Sequence, residues 1–359
     1  MRRSVMHAWT ALLLLLFVAQ VKAQDLHFMK VDSVNPCLTL RSNTTFYCPV
    51  RKAGVRWEEK DVFNPAAVVR NDSVYLLYRA EDSVGRYAGT SRIGVAVSAD
   101  GLHFSRYETP VLYPDNDAFK EYEWEGCCED PRIVEDEQGV YYLTYTAYDG
   151  HTARLFVATS SDLFHWKKHG SVFRDVYNGR YAEGWSKSGA IVCRQQGDKL
   201  IAQRIGGRYW MYWGDTNIYL AHSSDLLHWT PVLADDGGLL PVIRPRPGMF
   251  DSDLVEPGPP PLLTAEGILL IYNSRNHPAT GDTALPAGTY TAGRVVMDKT
   301  SPSRMISRGS SYFFAPDKSY ELIGQVNNVC FLEGLVSFKG HWFLYYGTAD
   351  SRIAVAVGK

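Results

Sequence analysis

Short apolar runs set between polar turn clusters organise this chain, and almost nothing in it repeats with helical spacing. Aromatic-rich runs occur at Val74 to Tyr78, Tyr141 to Tyr145 and Tyr209 to Trp213. Each is followed by a second run, at Ile93 to Val97, Leu155 to Thr159 and Ile218 to Ala221. Runs of this length, rich in aromatic and branched residues, predict strands. After each pair comes a variant of one motif, beginning at Ser98, Ser160 and Ser223, at intervals of 62 and 63 residues. Two degenerate pairs follow, Gly267 to Tyr272 with Tyr290 to Val296, and Trp342 to Tyr346 with Ile353 to Val357. Five strand-pair units without helices predict an all-β fold, a five-bladed β-propeller, in preference to a two-sheet sandwich. The last strand is expected to pair with sequence from the N-terminus.

The motif Ser160-Ser161-Asp162-Leu163-Phe164-His165-Trp166 contains an acid and an imidazole. Because it recurs in successive units, it is expected to serve the unit: the Asp caps a turn and the aromatic packs. Residues that carry chemistry should break the repeat.

The first 23 residues read as an export signal. Met1-Arg2-Arg3 is basic, Ala11 to Ala19 is apolar, and Val21-Lys22-Ala23 suits cleavage before Gln24. The apolar stretch is short for a membrane anchor, so none is expected. Residues 24–359 then form a single domain, exported to the periplasm or outside the cell. With 37 basic and 39 acidic residues the formal net charge is -2, which gives no footprint for nucleic acid. The 22 Tyr and 9 Trp suit both strand-rich cores and sugar recognition. Among six cysteines, Cys37 and Cys48 flank a short polar loop and are the best candidate pair for a disulfide, which the sequence leaves open, while Cys193 and Cys330 read as buried apolar residues. No Cys/His or His/carboxylate spacing implies a metal, and no cofactor is indicated.

The sharpest departure from the repeat is Glu129-Asp130-Pro131-Arg132. The residue before a proline is biased to extended geometry, so Asp130 is expected at a strand entrance, aimed away from Glu129. Other polar residues stand at strand ends: Asn64, Arg79, Asp82, Lys187, Asp215, Glu256 and Asp350. Singly, each reads as a surface charge or a loop salt bridge. Together they would converge on one axial pocket, where several acids and bases suit glycoside chemistry.

In order along the chain stand Asn64-Pro65, Tyr78-Arg79-Ala80, Glu129-Asp130-Pro131-Arg132-Ile133, Pro259-Pro260 and Tyr345-Tyr346-Gly347-Thr348-Ala349-Asp350. From about residue 60 to the C-terminus the set resembles glycoside hydrolase family 130, five-bladed propellers acting on β-mannosides. The resemblance implies a mannose-containing oligosaccharide as substrate. It makes Asp130 the acid of the phosphorolytic members, and Asn64, Arg79, Asp82 and Asp350 ligands of the non-reducing mannose. Those members bind phosphate through Arg and Lys side chains and a His-Arg pair ending an inner strand. That strand end here reads Met211-Tyr212-Trp213-Gly214-Asp215, and an acid, Glu256, stands in a segment that is usually uncharged. A carboxylate there would repel a phosphate dianion and could hold a water instead.

The loss of phosphate ligands with gain of two acids resembles the hydrolytic branch of the family. Asp215 stands where that branch has a glutamate. Lys187, with Arg154 as a further candidate, matches phosphate-binding positions. The leading expectation is an inverting exo-β-mannosidase for β-1,2-linked mannosides. Proton donation falls to Asp130 or Glu256 and water activation to Asp215 or Glu256. A β-mannoside phosphorylase and a non-catalytic sugar-binding propeller are the alternatives.

Overall fold

The computed structural model describes residues 26–87 and 89–358, so the expected signal peptide lies outside the described residues. Five antiparallel meanders of four strands follow one another. The first is Asp61–Arg70, Ser73–Glu81, Ser91–Ser98 and Ser105–Arg106. The second is Cys127–Glu135, Tyr141–Tyr148, Ala153–Ser160 and Lys167–Ser171. Ala190–Ile191, Arg208–Trp213, Ile218–Ser223 and Thr230–Pro231 form the third. Leu254–Pro257, Ile268–Arg275, Tyr290–Met297 and Met305–Arg308 form the fourth. The fifth contains Cys330–Phe338, His341–Thr348 and Arg352–Gly358, and its outer strand is Phe28–Lys30 from the other end of the chain. Every strand predicted from the apolar runs is present, and the N-terminal sequence does pair with the last strand.

Single-residue parallel bridges link neighbouring units at Ser91–Cys127, Glu135–Ile201, Cys193–Leu262 and Tyr290–Val329, the middle two through the hairpin Cys193–Gln196 with Lys199–Ala202 and the short strand Leu262–Leu263. Cys330–Phe338 of the fifth packs against Asp61–Arg70 of the first. The apolar cores lie between neighbours. Leu77 and Val95 meet Leu143 and Phe156, Tyr212 and Leu220 meet Ile268 and Val295, and Tyr78 joins Val336 and Tyr345.

The repeated motif is structural, as expected. Asp162 accepts the backbone N–H of Phe164 and of His165 at 2.8 Å, and its second oxygen meets His165 Nδ1 at 2.7 Å. Asp100 and Asp225 do the same, and Trp229 is fully buried. The candidate disulfide is not formed: Cys37 and Cys48 are both free thiols. Cys37 Sγ lies 3.4 Å from the Ile353 carbonyl, whereas Arg92 reaches Cys48 Sγ at 3.7 Å, so the two face different partners.

Candidate functional site

Three inner strands break their ladders at one end. Pairing slips between Phe63 and Pro65, between Glu129 and Arg132, and between Leu332 and Gly334. A bulge turns its extra residue out of the pleat, and the residues so released are Asn64, Asp130 and Glu333. Asn64 and Asp130 each precede a proline and each take φ of 47°. The extended backbone expected for Asp130 is therefore corrected to left-handed, a region that Asn and Asp tolerate better than most residues. The two side chains then meet, with Asn64 Nδ2 donating to Asp130 Oδ1 at 2.9 Å. Gly347 makes room for this, because a Cβ there would stand 2.2 Å from Asn64 Oδ1.

Around this pair opens a cavity of ≈ 380 Å³. Asn64, Arg79, Asp130, Lys187, Asp215, Glu256 and Asp350 all line it, so seven of the eight positions picked from sequence converge. Arg275, Tyr290, Thr216, Leu254, Val329 and Phe331 complete the wall. Four carboxyl groups face three cations, and each cation already has an acidic partner. Arg79 contacts Glu81 at 2.7 Å, Glu129 at 2.8 Å and Asp130 at 3.2 Å. Lys187 stands 3.5 Å from Asp130, and Arg275 Nε is 2.5 Å from Asp253.

These neighbours sort the acids. Burial alone would push the Asp130 carboxyl up, but Arg79 and Lys187, with the Asn64 hydrogen bond, hold it well below the usual range. Glu256 is only 4% exposed; burial pushes it up to about 7, with Lys187 and Arg132 opposing and Asp215 and Asp130 adding to the rise. Asp350 is also pushed up by burial to about 7, against the pull of Arg79. Lys187 is held above its ordinary value by Glu256, Asp130 and Glu129, against its own burial. Asp215 is half-buried and accepts a hydrogen bond from Trp185 Nε1 at 2.9 Å. One cavity thus holds an ionised acid and others poised near neutrality, the pairing that acid–base cleavage needs.

A family model described as beta-1,4-mannooligosaccharide phosphorylase matches residues 41–359. The chain belongs to glycoside hydrolase family 130. It is 32% identical to a 1,2-beta-oligomannan phosphorylase from Thermoanaerobacter sp. (strain X514), over 85% of this chain and 92% of that one. A glycosyl hydrolase structure from Bacteroides ovatus is 46% identical, with a TM-score of 0.90 and coverage of 93% of this chain and 94% of that one. A further structure has 42% identity and a TM-score of 0.91, covering 99% and 96% of the two chains. It is described with family 130 glycoside hydrolases that target beta-1,2 mannosidic linkages in Candida mannan. The protein is a family 130 enzyme acting on β-mannosides.

Two expectations about this family 130 site are corrected. Asp82 does not line the cavity; it is fully buried, paired with Arg92 at 2.7 Å, and accepts the Val84 and Thr90 N–H groups, so it braces a loop. Arg154 is likewise committed elsewhere, to Asp149 at 2.8 Å and Glu183 at 3.0 Å. Sequence reasoning missed the floor of the site. Arg132 is 2% exposed and donates to the carbonyls of Asp130 at 3.2 Å, Pro257 at 2.7 Å and Gly258 at 2.9 Å. Its guanidinium also lies 3.1 Å from Glu333, which is completely buried. Asn273, opposite Glu256 in the ladder, bonds both the N–H and the carbonyl of Leu332. The backbones that carry Asp130 and Glu256 are therefore tied to the third bulge.

Proposed function

We propose that the enzyme hydrolyses β-mannosides, with inversion, from the non-reducing end, and that β-1,2-linked mannose is its substrate. The observation that carries this reading is the pair Asp215 and Glu256 in a cavity whose three cations already face acids. A phosphate dianion entering there would meet carboxylates at short range and find its counter-charges engaged. Water suffers neither penalty. Glu256, poised near 7, donates the proton to the leaving oxygen, and Asp215 takes the proton of the attacking water. Asp130, kept ionised, binds mannose hydroxyls together with Asn64, Arg79 and Asp350. Likeness to the structure described with β-1,2-mannosidic hydrolases supports the linkage.

The five meanders support a closed five-bladed β-propeller around this cavity, with the N-terminal strand completing the fifth blade. A crystal structure in which Cys330–Phe338 stands apart from Asp61–Arg70 would overturn closure. The N-terminal pattern supports export, so the secreted chain should begin at Gln24 by mass spectrometry; recovery of an uncleaved cytoplasmic chain would remove that part of the reading.

Incubation with β-1,2-mannobiose, with and without phosphate, tests the reaction. Free mannose should form at the same rate in both. Phosphate-dependent release of mannose 1-phosphate would establish phosphorolysis, the activity named for the Thermoanaerobacter relative. Binding without turnover would leave a sugar-binding propeller.

A further inference from the structure

The indole of Trp185 has no part in the chemistry above. Trp57, Trp213, Trp229 and Trp342 are buried, whereas Trp185 is 55% exposed. A single exposed aromatic is ordinary in itself, but the backbone around this one is held in place. Ser186 N bonds the Ala153 carbonyl at 2.9 Å, Ser186 Oγ accepts from Leu155 N at 3.0 Å, and Gly214 N bonds the Lys187 carbonyl at 2.9 Å. The ring itself is fixed by its N–H, which donates to Asp215 Oδ2. Trp185 is not itself among the lining residues, but it adjoins two that are: Asp215, which its N–H holds, and Lys187, two positions along the chain. The result is a rigid apolar face, open to solvent, beside a carboxylate of the reaction.

We infer that Trp185 is the platform of a second sugar subsite, taking the neutral hexopyranose that projects from the cavity when mannose fills it. An indole offers an apolar face to a pyranose C–H face and a polar edge to its surroundings. The same residue positions Asp215 through its N–H. This inference rests on the hydrolytic reading for the second role only; stacking serves either reaction.

Two variants of the full chain separate the roles. Trp185→Ala removes the ring and should raise KM for β-1,2-mannobiose about tenfold. It should leave the inhibition constant of free mannose, which occupies the inner cavity, unchanged. Trp185→Phe keeps a ring but loses the N–H. It should hold KM within about twofold and lower kcat, because the carboxylate loses the N–H that fixes its orientation. Unchanged mannobiose KM in Trp185→Ala overturns the platform. So does a parallel rise in the mannose inhibition constant, which would place the ring in the inner cavity. A wild-type kcat in Trp185→Phe, or a fall in kcat matched by an equal rise in KM, overturns the positioning role. If the products prove to be phosphorolytic, the comparison of KM with the mannose constant, made with phosphate present, still judges the platform.

Discussion

Glu256→Gln should cut kcat on β-1,2-mannobiose by about 10²–10⁴-fold and at the same time stabilise the fold at pH 8. Both effects follow from one carboxyl that burial has pushed up to about 7. As the general acid it must be protonated, so kcat/KM of the wild type should fall as pH rises through about 7. Stability should follow the same limb. The native state keeps the proton between about 4.5 and about 7, where the unfolded chain has lost it. Stability is therefore greatest below that window and declines as pH rises through it. Glutamine carries no such penalty, so the gain at pH 8 is at most on the order of 3 kcal/mol. Aryl mannosides with a good leaving group should restore much of the lost rate to Glu256→Gln, since they need little protonation. Asp215→Asn should gain nothing from such substrates and respond to azide instead. The opposite pattern of rescue would exchange the two roles; wild-type activity in both variants would sink the hydrolytic mechanism.

The strand framework was legible because each meander must bury both faces between neighbours, and that demand leaves dense aromatic and branched runs such as Tyr141 to Tyr145. The Asp-x-x-His turns were legible for a related reason. Repetition showed that Asp162 and its equivalents answer to local backbone, and their hydrogen bonds to the following N–H groups agree. Asn64, Asp130, Asp215 and Glu256 could be picked out because they interrupt that pattern at strand ends.

The errors have a physical source as well. Asp82 stands only three residues from Arg79, yet it follows the strand end at Glu81 and turns inward to Arg92. Sequence gives the strand end but not which way the following loop folds. Asp130 departs from the extended form expected before proline because the bulge, bound to its neighbour at Asn64, overrides local preference. Glu333 carried a signal that went unread: it is the only charged residue in the wholly buried strand Cys330–Phe338. A lone acid in such a run needs a partner, and its partner Arg132 lay in the motif already singled out. Trp185 left no comparable mark, since exposure is a property of the folded surface.

Arg132→Met should lower stability by about 3–5 kcal/mol, the scale for leaving several buried acceptors without their donor, and should lower activity further than that loss explains. The guanidinium serves two purposes that a double variant can separate. It faces Glu333, which burial pushes well above its ordinary range despite the opposing charge of Arg132. It also holds the carbonyls of Asp130, Pro257 and Gly258, which fix the left-handed turn under Asp130 and the strand end beside Glu256. Replacing both partners, as Arg132→Met with Glu333→Leu, removes the buried acid and refills the space with apolar groups. Such replacement of a buried pair is often neutral or stabilising, so the double variant should recover the share of the melting temperature lost through the unpartnered Glu333. Activity should not, because the three carbonyls still lack their donor and the two acids lose their fixed relation. Chemical denaturation and mannobiose kinetics on the two single variants and the double give the cycle. Recovery of kcat together with stability would show that Arg132 serves folding alone, and that the spacing of Asp130 and Glu256 is set by the strands without it.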